Sequence, residues 1–347
     1  MDRPLLAITM GDPAGVGPET IAGCWPEAAV HARCRPLVVG HPEVMRRAVK
    51  LRKVAVEVVA IDSPEEALPS PALLPCLAAV APDAAAVAPG AIDARGGQAA
   101  YDALLAATRL ALARRVDGIV TAPLNKAALW RAGHEYPGHT ELLAELCGVR
   151  DFAMMLYLGT DDRVLGTAGL GVVHVTLHVA LQDVFAGLSV EAIVTKSRLL
   201  AEAMAAFKGA APRIGVCALN PHAGEEGLFG DEEQRIIGPA VERARADGLN
   251  IEVPLPADAL MVKAQGGLFD GVVAMYHDQG HIALKLLGMH RAVNITLGLP
   301  IVRTSVAHGT AFDLAWQGRA EVSSMIEALR VAGILAGTVG QAFQPDK

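Results

Sequence analysis

The stretch "LLAITMGDPAGVGPETI", Leu5 to Ile21, runs from an apolar segment through a loop holding Gly11, Gly15 and Gly17 into a helical pattern. A short apolar run, a glycine turn and then helical spacing make the opening of a β-loop-α unit. The loop reads G-x-x-x-G-x-G and no Lys-Ser/Thr pair follows it. It is therefore neither the dinucleotide fingerprint G-x-G-x-x-G nor a Walker phosphate loop. The stretch sets the fold class without naming a ligand.

Outward from it the rhythm continues with "PLVVG", the helical "HPEVMRRAVKL" and the strand-like "VAVEVVAID". This alternation predicts βαβ units and a parallel sheet. Residues 62–95 carry Pro64, Pro69, Pro71, Pro75, Pro82 and Pro89 and read as an irregular crossover where a first domain gives way. Helical spacing returns in "GGQAAYDALLAATRLALARR", followed by the buried strand of "VDGIVTAP". The same pairing recurs in "VEAIVTKSRLLAEAMAAFKG" with "RIGVCALNPHAG", and in "ALMVKAQGGLF" with "DGVVAMYHDQG". Ligands of open α/β sheets sit beyond the carboxyl ends of strands, so the polar loops TAPLNK, LNPHAGEEG and MYHDQGH are expected to gather at one cleft. The tail "GQAFQPDK" reads as loosely held.

The 347 residues are 52% apolar but only 4% aromatic, so Ala, Val, Leu and Ile must fill the interior, as in helices packed on a buried sheet. The expected fold class is α/β with two domains. A formal charge of −7 without a basic cluster argues against nucleic acid and anionic membrane as partners. Cys24, Cys34, Cys76, Cys147 and Cys217 are scattered without a C-x-x-C, which predicts reduced, mostly buried thiols. The chain enters a strand pattern at once, without a charged leader, and has no apolar run near the ~18 residues of a membrane span. A cytoplasmic protein is expected.

Three histidines stand out by context: His178 in "LHVAL", His222 in "NPHAG" and His277 in "YHDQG". Each alone reads more simply as a polar residue near a strand end. Together they suit a divalent metal, because imidazoles are common ligands of borderline cations and three protein ligands leave a position open. His174 lies four residues before His178, but "VVHVTLHVAL" is too β-branched for a helix, and His174 is set aside. Lys285, Asn294 and Arg303 supply groups that can fix a phosphate or carboxylate, with a surface charge as the plainer reading of Lys285. "GHTELL" places His139 and Thr140 at a helix entry able to hold an anion or simply to cap the helix.

These stretches resemble the PdxA family, the 4-hydroxythreonine-4-phosphate dehydrogenases and their near relatives. The resemblance rests on "GDPAGVGPE", "TAPLNK", "GHTE", "LNPHAGE", "PLPAD", "YHDQG", "VNITLGLPIVRTS" and "HGTAFD", in family order along nearly the whole chain. It implies a fold like the isocitrate and isopropylmalate dehydrogenases, two α/β domains around a central cleft, in a homodimer whose active sites are shared. The expected division is residues 1–95 with roughly 270–347 on the cofactor side, and 96–269 carrying substrate, metal and dimer contacts. "GDPAGVGPE" then shapes the cleft, while "HGTAFD" looks like an adenosine loop in which Gly309, Thr310 and Asp313 bind NAD in preference to NADP. His178, His222 and His277 match metal ligands drawn from both subunits, for zinc first, with magnesium or cobalt as alternatives. His139, Thr140, Lys285, Asn294 and Arg303 match substrate-binding positions, and Lys285, Asp258 and Asp278 match catalytic or ligand-orienting ones.

The implied reaction is metal-assisted, NAD-linked oxidation of the C3 hydroxyl of 4-phosphohydroxy-L-threonine, then loss of CO₂ to give 3-amino-2-oxopropyl phosphate for pyridoxal phosphate synthesis. The alternative substrate is 4-phospho-D-threonate or 4-phospho-D-erythronate, giving dihydroxyacetone phosphate. A phosphate acyltransferase is a more remote reading on a related fold. The chain departs from the family's usual "VDHGTA" at Ala307, which removes an acid beside the cofactor loop. Around the histidines, "GEEGLFGDEE" and "HDQGHIALKLLG" differ from the pyridoxine-pathway form, and "HDQGHI…KLLG" with "HGTAFDLAW" looks closer to the sugar-acid branch.

Overall fold

The computed structural model describes residues 3–342; the tail read as loosely held lies, from residue 343 onward, outside them. The strands are β1 (Leu5–Thr9), β2 (Arg35–Gly40), β3 (Glu57–Ile61), β4 (Leu73–Ala78), β5 (Gly118–Thr121), β6 (Ala153–Leu158), β7 (Leu170–His174), β8 (Ile214–Cys217), β9 (Ile251–Leu255), β10 (Gly271–Ala274), β11 (Val293–Leu297) and β12 (Val302–Val306). Two compact units hold them, residues 1–150 with 299–347, and residues 151–298.

In the first unit the strand order is β3-β4-β2-β1-β5-β12, and every pairing is parallel. A parallel sheet covered on both faces needs strands apolar throughout, and β1, β2 and β5 are buried almost end to end. Trp25 closes one side, fully buried, its Nε1 donating to Ser70 O at 2.9 Å and Leu73 O at 3.1 Å.

Residues 62–95, expected to be irregular, contain β4, which pairs with both β2 and β3. Pro64 and Pro82 open the 3₁₀ turns Pro64–Glu66 and Pro82–Ala86 on either side of it and Pro75 lies within it, so a proline-rich stretch concealed a strand. Hence the chain does not leave the first unit near residue 95. The helix Ala94–Leu112 leads to β5, whose Val120 lies opposite Ile8 of β1, and this keeps residues 96–150 in that unit. Residues 270–298 likewise fall in the second unit, because β10 pairs with β7 and β11 with β6.

The second unit orders its strands β11-β6-β7-β10-β8-β9, antiparallel at β11/β6 and β6/β7 and parallel from β7 to β9. The helix Val190–Lys208 starts at Ser189, whose side chain accepts from Ala192 N, and buries Ile193, Leu199, Leu200 and Met204. The five cysteines are free, with Cys147 half-buried and the others buried. No helix among the described residues is long and apolar enough to cross a membrane.

Candidate active site

In the first unit β1, β5 and β12 are parallel neighbours, so the loops after them leave the same edge of the sheet. Gly11 holds φ +73°, and a Cβ there would collide with Pro123 O. Asp12 N donates to Pro123 O and Val16 N to Thr310 O, each at 3.0 Å, while Trp316 Nε1 donates to Pro13 O at 2.8 Å. The glycine loop is thus clamped between TAPLNK and HGTAFD, a shaping role and not a phosphate cradle.

Sequence reasoning did not single out Asp12. Its carboxyl is fully buried, with Oδ1 accepting from Ala14 N at 2.9 Å and Oδ2 meeting no hydrogen-bond partner. Burial pushes its pKa up to about 6, opposed by the Ala14 N–H and reinforced by Asp93.

Arg303, on β12, is only 2% exposed and donates from one terminal nitrogen to Thr121 Oγ1 at 2.7 Å. Burial draws its pKa down to about 9, opposed by Glu141, so it remains a cation at neutral pH. His139 opens the helix His139–Leu146; burial, then the Arg303 guanidinium, hold its pKa well below the ordinary histidine value, while the Ala122 carbonyl opposes. Both His139 and Thr140 keep some accessible surface. A neutral imidazole and a guanidinium near the end of β5 are groups able to hold an anion. Of the expected cofactor residues, Gly309 and Asp313 are exposed, and buried Thr310 uses its carbonyl on Val16.

In the second unit β7, β10, β8 and β9 run parallel, and their carboxyl ends carry His174, Tyr276 to Asp278, Asn220 to His222, and Asp258. His277 opens the helix His277–Gly288, and its Nδ1 donates to Asp278 Oδ1 at 2.6 Å, which directs the ring's acceptor role to Nε2. The His178 ring lies 6.0 Å from it, centroid to centroid. With metal–nitrogen bonds of about 2.0–2.1 Å, two imidazoles on one zinc stand roughly 5–6 Å apart, a separation with which this pair is compatible.

His222 lies on the loop after β8. Residues His222–Glu226 take φ of 53°, 56°, 80°, 43° and 56°, a left-handed turn that leaves the His222 side chain 74% exposed. Glu233 holds the turn's entry, its Oε1 accepting from Leu219 N and Asn220 N at 2.8 Å each. His222, Asp258 and Asp278 line a cleft of about 500 Å³ with Asn220, Tyr276 and Gln279. Among the described residues, no three His, Cys, Asp or Glu side chains are placed to hold one metal. A single chain therefore pairs His178 with His277 and groups His222 with the two aspartates, without uniting the three histidines.

Asn294, on β11, buries an Oδ1 that has no hydrogen-bond partner, and Lys285 is exposed. His174, set aside in the sequence, and His281, not considered there, form a buried pair behind His277. His174 is pushed down to about 3 and His281 to about 4, burial being the first cause of each and the neighbouring histidines the next. The signal available was the four-residue recurrence of His277, His281 and Lys285 in "YHDQGHIALK".

Residues 32–332 match the family described as "Pyridoxal phosphate biosynthetic protein PdxA". The chain belongs to the PdxA family. Its relatives include D-threonate 4-phosphate dehydrogenase of Pectobacterium atrosepticum, 45% identical over 96% of this chain and 99% of the relative. Another is 4-hydroxythreonine-4-phosphate dehydrogenase of Geobacter metallireducens, 45% identical over 97% of each chain. The crystal structure of 4-hydroxythreonine-4-phosphate dehydrogenase from Klebsiella pneumoniae superposes with a TM-score of 0.85 at 43% identity, covering 96% of this chain and 99% of that one. This PdxA-family chain is thus an α/β enzyme of the dehydrogenase type, and both substrate names occur among relatives of equal similarity.

Proposed function

We propose that the chain oxidises, with NAD, the C3 hydroxyl of a phosphorylated four-carbon acid and then releases CO₂, acting on 4-hydroxythreonine 4-phosphate or D-threonate 4-phosphate. The observation that carries this reading is the His178–His277 pair at 6.0 Å, with His277 Nδ1 tied to Asp278. These two residues would hold a divalent cation, zinc first, and His222 of the partner subunit would complete the set. When bound, the cation supplies Lewis acidity to the C3 oxygen and NAD accepts the hydride.

The chain's own residues do the rest. Arg303 and His139 bind an anionic group of the substrate in the first unit, with Thr140 beside them. Asn294 offers its unpartnered Oδ1 to a substrate donor, and Lys285 pairs with a carboxylate or moves a proton at the reacting oxygen. Asp258 and Asp278 orient ligands, the latter through His277. Gly309, Thr310 and Asp313 form the NAD loop, with the exposed Asp313 carboxylate accepting from ribose hydroxyls. A homodimer is supported by exposed apolar side chains in the second unit, among them Leu286, Ile282, Val262, Leu228 and Phe229. A net charge of −7 without a basic cluster supports small acids over nucleic acid as partners, and the cytoplasm is the proposed site of action.

NADH formation at 340 nm, with zinc-, magnesium- or cobalt-supplemented protein and each acid in turn, tests the proposal. Absorbance should rise with at least one acid. No rise with either acid and any metal, together with acyl phosphate formation from an acyl-CoA and phosphate, would replace it by the acyltransferase reading.

A further inference from the structure

Residues 307–322, between β12 and the helix Ser323–Ala342, form neither helix nor strand, and Ala311 and Trp316 among them take φ of 41° and 61°. A segment this irregular keeps one shape only where its surroundings hold it. Two ties run to the glycine loop, from Val16 N to Thr310 O and from Trp316 Nε1 to Pro13 O. Beyond Trp316 the grip passes to two charged side chains. Glu19, in the helix Gly17–Cys24, is fully buried, and its Oε2 accepts from Gly318 N at 2.8 Å. Arg52 ends the helix Pro42–Arg52 and donates from one terminal nitrogen to Gly318 O and Ala320 O, at 3.0 Å each. Gly318, in the left-handed region at φ +73°, is thus held by an acid at its N–H and by a guanidinium at its carbonyl. Arg52 reaches this place because residue 23 is glycine; a Cβ there would lie 2.5 Å from its Nε.

We propose that Glu19 and Arg52 are positioning residues for the dinucleotide, gripping Gly318 and Ala320 so that the loop already has its binding form, with Asp313 presented, before NAD arrives. This rests on the reading of Gly309, Thr310 and Asp313 as the NAD loop. The fit is on the loop itself. Asp313 is exposed, while its backbone carbonyl accepts from Gln317 Nε2 at 2.6 Å, so the acid stays open to a ligand as the chain around it is tied. Burying a carboxylate is costly, and Glu19 Oε1 has no hydrogen-bond partner. An apolar side chain would fill the space without that cost, but only an acceptor fixes where the Gly318 N–H points. A loop ordered in advance loses little freedom on binding, so the contribution falls on NAD affinity and not on the chemical step.

The test is calorimetric titration of the full-length, metal-supplemented protein with NADH, beside steady-state kinetics. Gly23→Ala displaces the flexible end of Arg52 and adds a better helix former, so the Tm should hold within about 2 °C. It should raise Kd for NADH and KM for NAD about fivefold and leave kcat and the KM of the acid within about twofold; Arg52→Met should raise the same two constants about tenfold. Trypsin should cut after the exposed Arg319 faster in both variants than in the wild type. Glu19→Gln keeps an oxygen for Gly318 N and should stay within about threefold of wild type, whereas Glu19→Ala should lose about tenfold in NADH affinity. Asp313→Ala sorts the outcomes. If it weakens NADH binding while Gly23→Ala and Arg52→Met bind as the wild type does, the proposal falls and the cofactor reading stands. Equal losses on NAD, on the acid and in kcat overturn it too, leaving the clamp as a brace for the fold. An Asp313→Ala variant with unchanged NADH affinity removes the cofactor reading, and this proposal with it.

Discussion

The loop after β1 and the loop after β8 occupy equivalent places at the carboxyl ends of parallel strands, yet they are built in opposite ways. Residues 11–17 close on protein from both sides, with glycine where the backbone turns left-handed and buried side chains throughout. Residues 222–226 hold the same left-handed region largely with side-chain-bearing residues, at a cost of roughly 1–2 kcal/mol each, and leave His222 and both glutamates exposed. The first loop is finished within its own unit. The second is held under strain and presents a histidine outward.

The hardest test of the contrast is Gly11→Val. A β-branched residue at φ +73° that also collides with Pro123 O should cost more than about 4 kcal/mol, giving unfolded protein or a Tm lowered by over about 10 °C in a circular-dichroism melt. A Tm within a degree or two of wild type would remove the glycine loop as an anchor. His222→Ala should do the reverse. Its side chain is exposed, so the Tm should hold within about 1 °C while NAD reduction falls at least about a hundredfold and bound metal is lost.

Asp12→Asn sharpens the comparison through pH. The Asp12 pKa is raised in the fold to about 6, so the native state holds its proton more tightly than the unfolded chain. Stability from this group is complete below the unfolded pKa near 3.8 and is lost as pH rises through about 6, a loss of up to about 3 kcal/mol. Thermal melts should therefore show Asp12→Asn more stable than wild type at pH 7.5 and no better at pH 3.5. The smallest effect belongs to Ala223→Gly, which relieves one left-handed residue and should raise Tm by about 2 °C.

The parallel strands and the polar loops at their carboxyl ends were legible because burial on both faces writes an apolar run that a turn must end. "VDGIVTAP" and "DGVVAMYHDQG" show this directly. β4 was not legible, since Pro64, Pro69 and Pro71 crowd the approach to "LLPCLA", Pro75 lies within it, and proline reads as a break. The boundary near residue 95 was misplaced for the same reason, and residues 270–298 because strand pairing decides their unit. At the site, histidines in distinctive loops could be named, but not sorted, because which loops share a cleft is set by strand order. His174 looked like a strand end and is one; that it meets His281 depends on Gly280, where a Cβ would collide with His174 Nε2, and on the pairing of β10 with β7.

The first unit is discontinuous, and this fixes an order of events during synthesis. β5 is complete at residue 121, but its neighbour β12 begins only at residue 302. At roughly 5 to 20 residues per second, a ribosome takes on the order of 10 to 40 s to make what lies between. Through that interval one edge of a buried, apolar strand has no partner, while residues 151–298 emerge as an unbroken stretch able to close by itself. The nascent chain therefore finishes its second unit before its first, and the unit made earliest is the one that most needs shielding from its neighbours on the polysome.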